Sequence, residues 1–146
     1  MRRQSARLLS SASRPTHETG WNTENDMEKE QVIIGSVPSK ANSYKVITIA
    51  GHGSLAKTAA MRKYEQSFYM QCGKYRGRMI ESYFCLDLDV YFPTMSHDLD
   101  NSLKVILDCL QSCKAIKNDN RCVAINARKF IDKANPRIEF TITPEL

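Results

Sequence analysis

At 146 residues the chain is long enough for one domain with a substantial core and too short for two. Hydrophobic content of 42% and charged content of 25% are those of an ordinary soluble globular protein, and no apolar run approaches the roughly 18 to 20 residues that a membrane-spanning helix needs. The 21 Lys and Arg against 16 Asp and Glu leave a formal charge of +5, which favours an acidic partner such as nucleic acid or a membrane surface.

The first 26 residues, MRRQSARLLSSASRPTHETGWNTEND, have little apolar periodicity and much Ser, Thr, Asn and Arg. That is the composition of a disordered arm, so residues 1–30 are expected to form a flexible extension and residues 31–146 the folded domain. The Arg- and Ser-rich opening also has the composition of a transit peptide, and it equally suits a basic arm or a leader ahead of a start at Met27. The β-branched runs QVIIGSV and SYKVITIA, separated by PSKAN, predict two short strands around a loop. GHGS, from Gly51 to Ser54, predicts a turn with Ser54 as a helix N-cap. LAKTAAMRKYEQSFYMQC then predicts a helix, because Met61, Tyr64, Phe68 and Cys72 recur at steps of three and four. GKYRGR, from Gly73 to Arg78, closes it as a loop.

SYFCLDLDVYF alternates with unusual regularity: Phe84, Leu86, Leu88, Val90 and Phe92 fall on one face, and Tyr83, Cys85, Asp87, Asp89 and Tyr91 on the other. Pro93 stops this strand. DNSLKVILDCLQSC predicts a second helix with Leu99, Leu103, Ile106, Leu107 and Leu110 as its apolar stripe, and CVAINARKF and RIEFTIT predict two more strands. Two main helices among several strands, with no βαβ rhythm, predict an α+β fold in which a small mixed sheet packs against the helices. The five cysteines are odd in number and lack C-x-x-C spacing, which speaks against a disulfide framework or a zinc site and for a reducing, intracellular compartment. Cys109 and Cys113 read as small buried thiols.

The tripeptide Asp-Leu-Asp occurs twice, at residues 87–89 and 98–100. In the first copy the two-residue period puts Asp87 and Asp89 on one face of a strand, where a solvated sheet surface explains them. The second copy stands where strand hands over to helix. An Asp there caps orphan N–H groups and suits the helix dipole, but one would do, and Asp98 and Asp100 side by side resist joint ionisation. Lys104 follows Asp100 by one helical turn, and KNDN offers Asp119 in the loop after the helix. Should that loop fold back, three carboxylates and a lysine would converge, an oxygen-rich set suited to Mg²⁺ and to phosphodiester hydrolysis. His52 and His97 are poor ligands for such an ion. GKYRGR interleaves Lys74, Arg76 and Arg78 with Tyr75, a pattern suited to phosphate contact and base stacking and equally to a plain solvated connector. Lys57, Arg62 and Lys63 offer a second cationic track or a wet helix face, and Asn42 offers a hydrogen bond near a phosphate or an Asx turn.

The order of these features resembles the RusA-type Holliday junction resolvases, which are endodeoxyribonucleases. The resemblance rests on HDLDNSLKVILDCL, NDNRCV, the terminal PRIEFTIT and the upstream PSKANSY (Pro38 to Tyr44), and it spans residues 32–143. It implies that Asp98, Asp100 and Asp119 are metal-binding catalytic carboxylates and that Lys104 is the basic residue of the site. It further implies Mg²⁺ dependence with Mn²⁺ as a substitute, no small-molecule cofactor, homodimerisation, and paired nicking of a four-way junction in DNA recombination and repair. The setting would be the cytoplasm of a bacterium, with the gene bacterial or phage-borne. The chain departs from the family pattern at Asn118, where members often carry a second Asp, and at His97, where they often carry Arg. The alternatives left by the residues are a non-catalytic basic DNA-binding protein and a nuclease for other branched DNA.

Overall fold

The computed structural model describes residues 29–145. The expectation for the N-terminal arm therefore falls almost entirely outside the described residues. The elements in chain order are β1 (Gln31–Ile34), a single helical turn α1 (Lys40–Ser43), β2 (Tyr44–Ile49), β3 (His52–Lys57), α2 (Ala59–Gln71), β4 (Phe84–Phe92), α3 (Leu99–Ser112), a 3-10 turn (Asp119–Arg121), β5 (Cys122–Ile131) and β6 (Arg137–Pro144). A mixed four-stranded sheet in the order β1-β6-β4-β5 carries the core, and β2 and β3 form a separate two-stranded ribbon. This is the α+β architecture the patterning predicts.

The alternation read in β4 is realised: Phe84, Leu86, Leu88, Val90 and Phe92 are all buried on the face that meets the helices. Met61, Tyr64, Phe68 and Cys72 of the α2 stretch pack there too. On α3 the deepest positions are Val105, Ile106, Cys109 and Leu110, while Leu99, Leu103 and Leu107 lie at the margin, so the stripe is rotated by about one residue from the expected one. The thiols of Cys109 and Cys113 are buried as expected, and all five cysteines are free.

Three expectations need correction. Of GHGS only Gly51 belongs to a turn, the two-residue hairpin loop Ala50-Gly51 with φ of 53° and 82° joining the register pair Ile49 and His52, and His52–Ser54 begin β3 rather than lead into a helix. The helix N-cap is Thr58, whose hydroxyl accepts from the Met61 N–H at 3.1 Å, rather than Ser54. Finally, β4 and β5 pair in parallel with α3 as the crossover, so the fold does contain one βαβ unit.

The second face of β4 also differs from the solvated one expected. Asp89 is 1% exposed and its carboxylate accepts from Arg128 at 3.0 and 3.2 Å, with Lys29 at 3.8 Å. The first Asp-Leu-Asp copy is thus half structural ion pair, because the parallel register sets Asp89 directly beside Arg128.

Candidate active site

The second copy is delivered by a short loop running from β4 into α3. His97 stacks on Phe92 with ring centroids 5.0 Å apart, and its Nδ1 lies 3.2 Å from the Thr94 hydroxyl. Lys129 of β5 donates to the Met95 carbonyl at 3.0 Å and also to the His97 carbonyl. An ammonium from the neighbouring strand therefore holds the loop that presents Asp98. Nothing in the local sequence announces this role, since it depends on the parallel β4–β5 register.

Asp98 occupies the N-cap position of α3, yet among the described residues its side chain makes no capping hydrogen bond; its nearest partner is the Asn101 amide at 3.4 Å. Asp100 lies exposed in the first helical turn. Two carboxylates thus stand at the positive end of the helix dipole without being committed to the orphan N–H groups. The capping account of this pair consequently loses its main support. Pro38, Ser39 and Asn42, from the upstream PSKAN segment, line a cavity of about 260 Å³ together with His97, Asp98 and Asn101. Folding brings these two separate motifs, more than fifty residues apart, to one place.

Lys104 is turned the other way. Its ammonium sits 3.3 Å from Asp108, one turn toward the C-terminus, and 5.4 Å from the centre of the Tyr44 ring. The Tyr44 hydroxyl donates to the same Asp108 carboxylate; burial and this bond raise the phenol well above its ordinary pKa. Tyr44 and Asp108 were not singled out in the sequence, although Tyr44 closes the PSKANSY segment.

Asp119 does not join this group within one chain. It begins the 3-10 turn after α3, with its N–H bonded to the Gln111 side chain at 3.0 Å, and Asn118 supplies the cap. Gln111 is eleven residues beyond Asp100, about 16 Å along a helix rising 1.5 Å per residue. Among the described residues no cluster of three or more His, Cys, Asp or Glu side chains could hold a metal ion.

The cationic loop lies at that same far end of α3: Gly77 N–H bonds the Cys113 carbonyl at 3.2 Å and Met79 N–H the Lys114 carbonyl at 2.8 Å. Lys74, Arg76 and Arg78 are exposed there. The Arg76 guanidinium donates to the Tyr69 carbonyl at 2.6 Å, and that of Arg78 lies 5.1 Å from the centre of the Tyr75 ring. Tyr75 itself is 1% exposed, stacked on Phe140, with its hydroxyl accepting from the Ile142 N–H at 3.1 Å and donating to Glu30. The sequence reading of Tyr75 as a base-stacking residue is therefore corrected: it is core, while the three cations face solvent.

One chain thus presents two half-sites, an acidic one with Asn42, Asp98 and Asp100 at the start of α3, and a cationic one with Asp119 at its end. A family model for endodeoxyribonuclease RusA matches residues 36–143, from the upstream Ser-Val-Pro-Ser segment through the last strand. The chain belongs to the RusA endodeoxyribonuclease family. No curated protein matches it. The match covers Asn42, Asp98, Asp100 and Asp119 alike, so their separation lies within the matched domain.

The acidic half-site fits a hard divalent cation in part. Mg²⁺ is commonly bound through one or two carboxylates with several retained waters, and Asp98 and Asp100 have oxygens to offer. A third carboxylate from Asp119 of the same chain does not fit.

Proposed function

We propose that this chain is a divalent-metal-dependent endodeoxyribonuclease that nicks four-way DNA junctions as a homodimer, in recombination and repair. The observation that carries the reading is Asp98 at the N-cap of α3 without a capping bond, in a cavity shared with Ser39 and Asn42 and inside the RusA match, with Asp100 exposed in the first helical turn. Asp98 and Asp100 would hold Mg²⁺, which when bound polarises a phosphoryl oxygen and lowers the pKa of water. Asn42, which lines the same cavity as Asp98, would meet a non-bridging phosphate oxygen, and Lys104, steadied by Asp108 and Tyr44, would supply positive charge one turn away. In a two-fold dimer with α3 of one copy antiparallel to that of the other, the Asp119 end of the partner meets the acidic half-site, with Lys74, Arg76 and Arg78 flanking it as phosphate contacts. Dimer symmetry then provides two cutting sites for two strands.

The test is a gel assay on a four-way junction, a flap and a linear duplex, with Mg²⁺ and with EDTA. Paired nicks in the four-way junction with Mg²⁺ alone are expected. Asp100→Asn should lower the nicking rate by about 100-fold or more while junction binding in EDTA persists. Binding without cleavage in any metal would instead favour a non-catalytic DNA-binding protein, and faster cleavage of the flap a nuclease for other branches.

A further inference from the structure

The β2–β3 ribbon stands apart from the sheet and carries its apolar side chains in the open. Val46 and Leu55 face each other across the ribbon and are 75% and 63% exposed, and Ile49 beside the turn is 57% exposed. A solvated ribbon gains nothing from such residues. The charge carried by this stretch of chain is one-sided: from Gln31 to Tyr64 it has no Asp or Glu, while Lys40, Lys45, Lys57, Arg62 and Lys63 fall within it, and the carboxylate at the ribbon's root, Asp108, is already engaged by Tyr44 and Lys104. Of these, Lys57 is paired with Glu65 at 2.6 Å. The cavity at the ribbon's root shares Ser39 and Asn101 with the cavity that Asp98 lines. Leu55 and Tyr44 line a cavity of about 340 Å³ together with Ser39, Lys40, Asn101 and Lys104.

A partner that matches an acid-free apolar ribbon must have an anionic outside and apolar flat faces within reach. DNA opened at a branch point has both, with phosphates outside and unstacked base faces inside. A second copy of the ribbon fits poorly, because like-charged ribbons would be juxtaposed. We propose that the β2–β3 ribbon is a DNA-opening arm: Val46 and Leu55 press on base faces at the branch point, and the cavity at its root receives the displaced base beside the scissile phosphate. This rests on the nuclease reading above and deepens it.

The test uses a four-way junction with 2-aminopurine at the branch point, saturated with full-length protein in EDTA, so that fluorescence reports unstacking without cleavage. Wild type should raise the fluorescence. The Val46→Ser/Leu55→Ser variant should lose most of that rise, with junction affinity down by about tenfold and duplex affinity within about threefold of wild type. Leu55→Trp, which keeps an apolar group there and makes it flat, should retain the rise, so a misfolded ribbon is distinguished from a missing wedge. An undiminished rise in the double Ser variant, or no rise in wild type, overturns the arm. So does conversion of the double variant from dimer to monomer in sedimentation, or loss of wild-type binding to phosphatidylserine vesicles, since each would assign the ribbon another partner. Cleavage is then scored after adding Mg²⁺ to the same samples. Unstacking without cutting sinks the nuclease reading and leaves the arm standing, whereas cutting without unstacking sinks the arm alone.

Discussion

Tyr64 sits in the core with its ring edge-on to Phe68, and among the described residues nothing hydrogen-bonds its buried hydroxyl. An unmet buried hydroxyl costs desolvation without return, so Tyr64→Phe should raise stability by about 1 kcal/mol in urea unfolding. The same burial holds the phenol well above its ordinary pKa; Tyr44 is raised by burial and by Asp108, and Tyr75 is pushed up to about 12 by burial and by Glu30. A raised pKa means that the folded state keeps its proton where the unfolded chain has released it. Stability should therefore be level with respect to these groups below about pH 10, the unfolded value, and fall as pH rises toward and past 12. Tyr64→Phe should make that alkaline fall in urea midpoint shallower. Single residues were also where sequence reading failed most. Tyr75 looked exposed because its neighbours are Gly, Lys and Arg, yet its burial is decided by Glu30 and Ile142, residues far away in the chain. Lys104 looked aimed at Asp100 by spacing, but the rotamer is set by Asp108 and by Tyr44 from a different element.

Elements were read better where one period dominated. Phe84, Leu86, Leu88, Val90 and Phe92 alternate in sequence and are all buried on the core face, and Met61, Tyr64 and Phe68 mark α2 at helical spacing. The missed element is β3, whose His52, Gly53 and Ser54 are turn formers by composition; only pairing with β2 makes them a strand. Composition likewise hid the ionic side of β4. The two carboxylates of its Asp-Leu-Asp should respond differently to substitution, since Asp89 is buried against Arg128 and Asp87 is partly exposed. Asp89→Ala should cost about 3 to 5 kcal/mol in urea unfolding, because one partner of a buried ion pair is removed. Asp87→Asn should stay within about 0.5 kcal/mol and leave nicking unchanged. Equal effects of the two substitutions would refute this assignment of the strand's second face.

At the scale of the molecule, the βαβ unit dictates where the carboxylates go. A crossover helix necessarily returns the chain to the opposite end of the sheet, so a residue before α3 and one after it cannot meet. The sequence supplied Asp98, Asp100 and Asp119 as candidates, but their separation was invisible without the parallel pairing. A dimer that joins Asp98 and Asp100 of one copy to Asp119 of the other makes a distinctive prediction. Asp100→Asn and Asp119→Asn are each expected to be inactive alone. Mixed and allowed to exchange subunits, they should recover about a quarter of wild-type nicking, because half the dimers are mixed and each has one intact site. These dimers should nick one strand rather than two. No recovery after verified exchange would sink the shared site.

The position of β6 has a consequence for how the protein is made. β6, synthesised after every other described strand, is interior to the sheet, with β1 on one side and β4 on the other, so Gln31 is partnered by Phe140 and Leu88 by that same residue. Until β6 leaves the ribosome, β1 has no strand to join and one edge of β4 is bare. At about 5 to 20 residues per second, that interval lasts on the order of ten seconds. During it the edge of β4 that pairs with β6 is open and the apolar side chains Ile138, Phe140 and Ile142 are missing from the core, a window in which chaperone capture competes with folding. Emergence of β6, rather than of any earlier segment, is the event that completes the sheet.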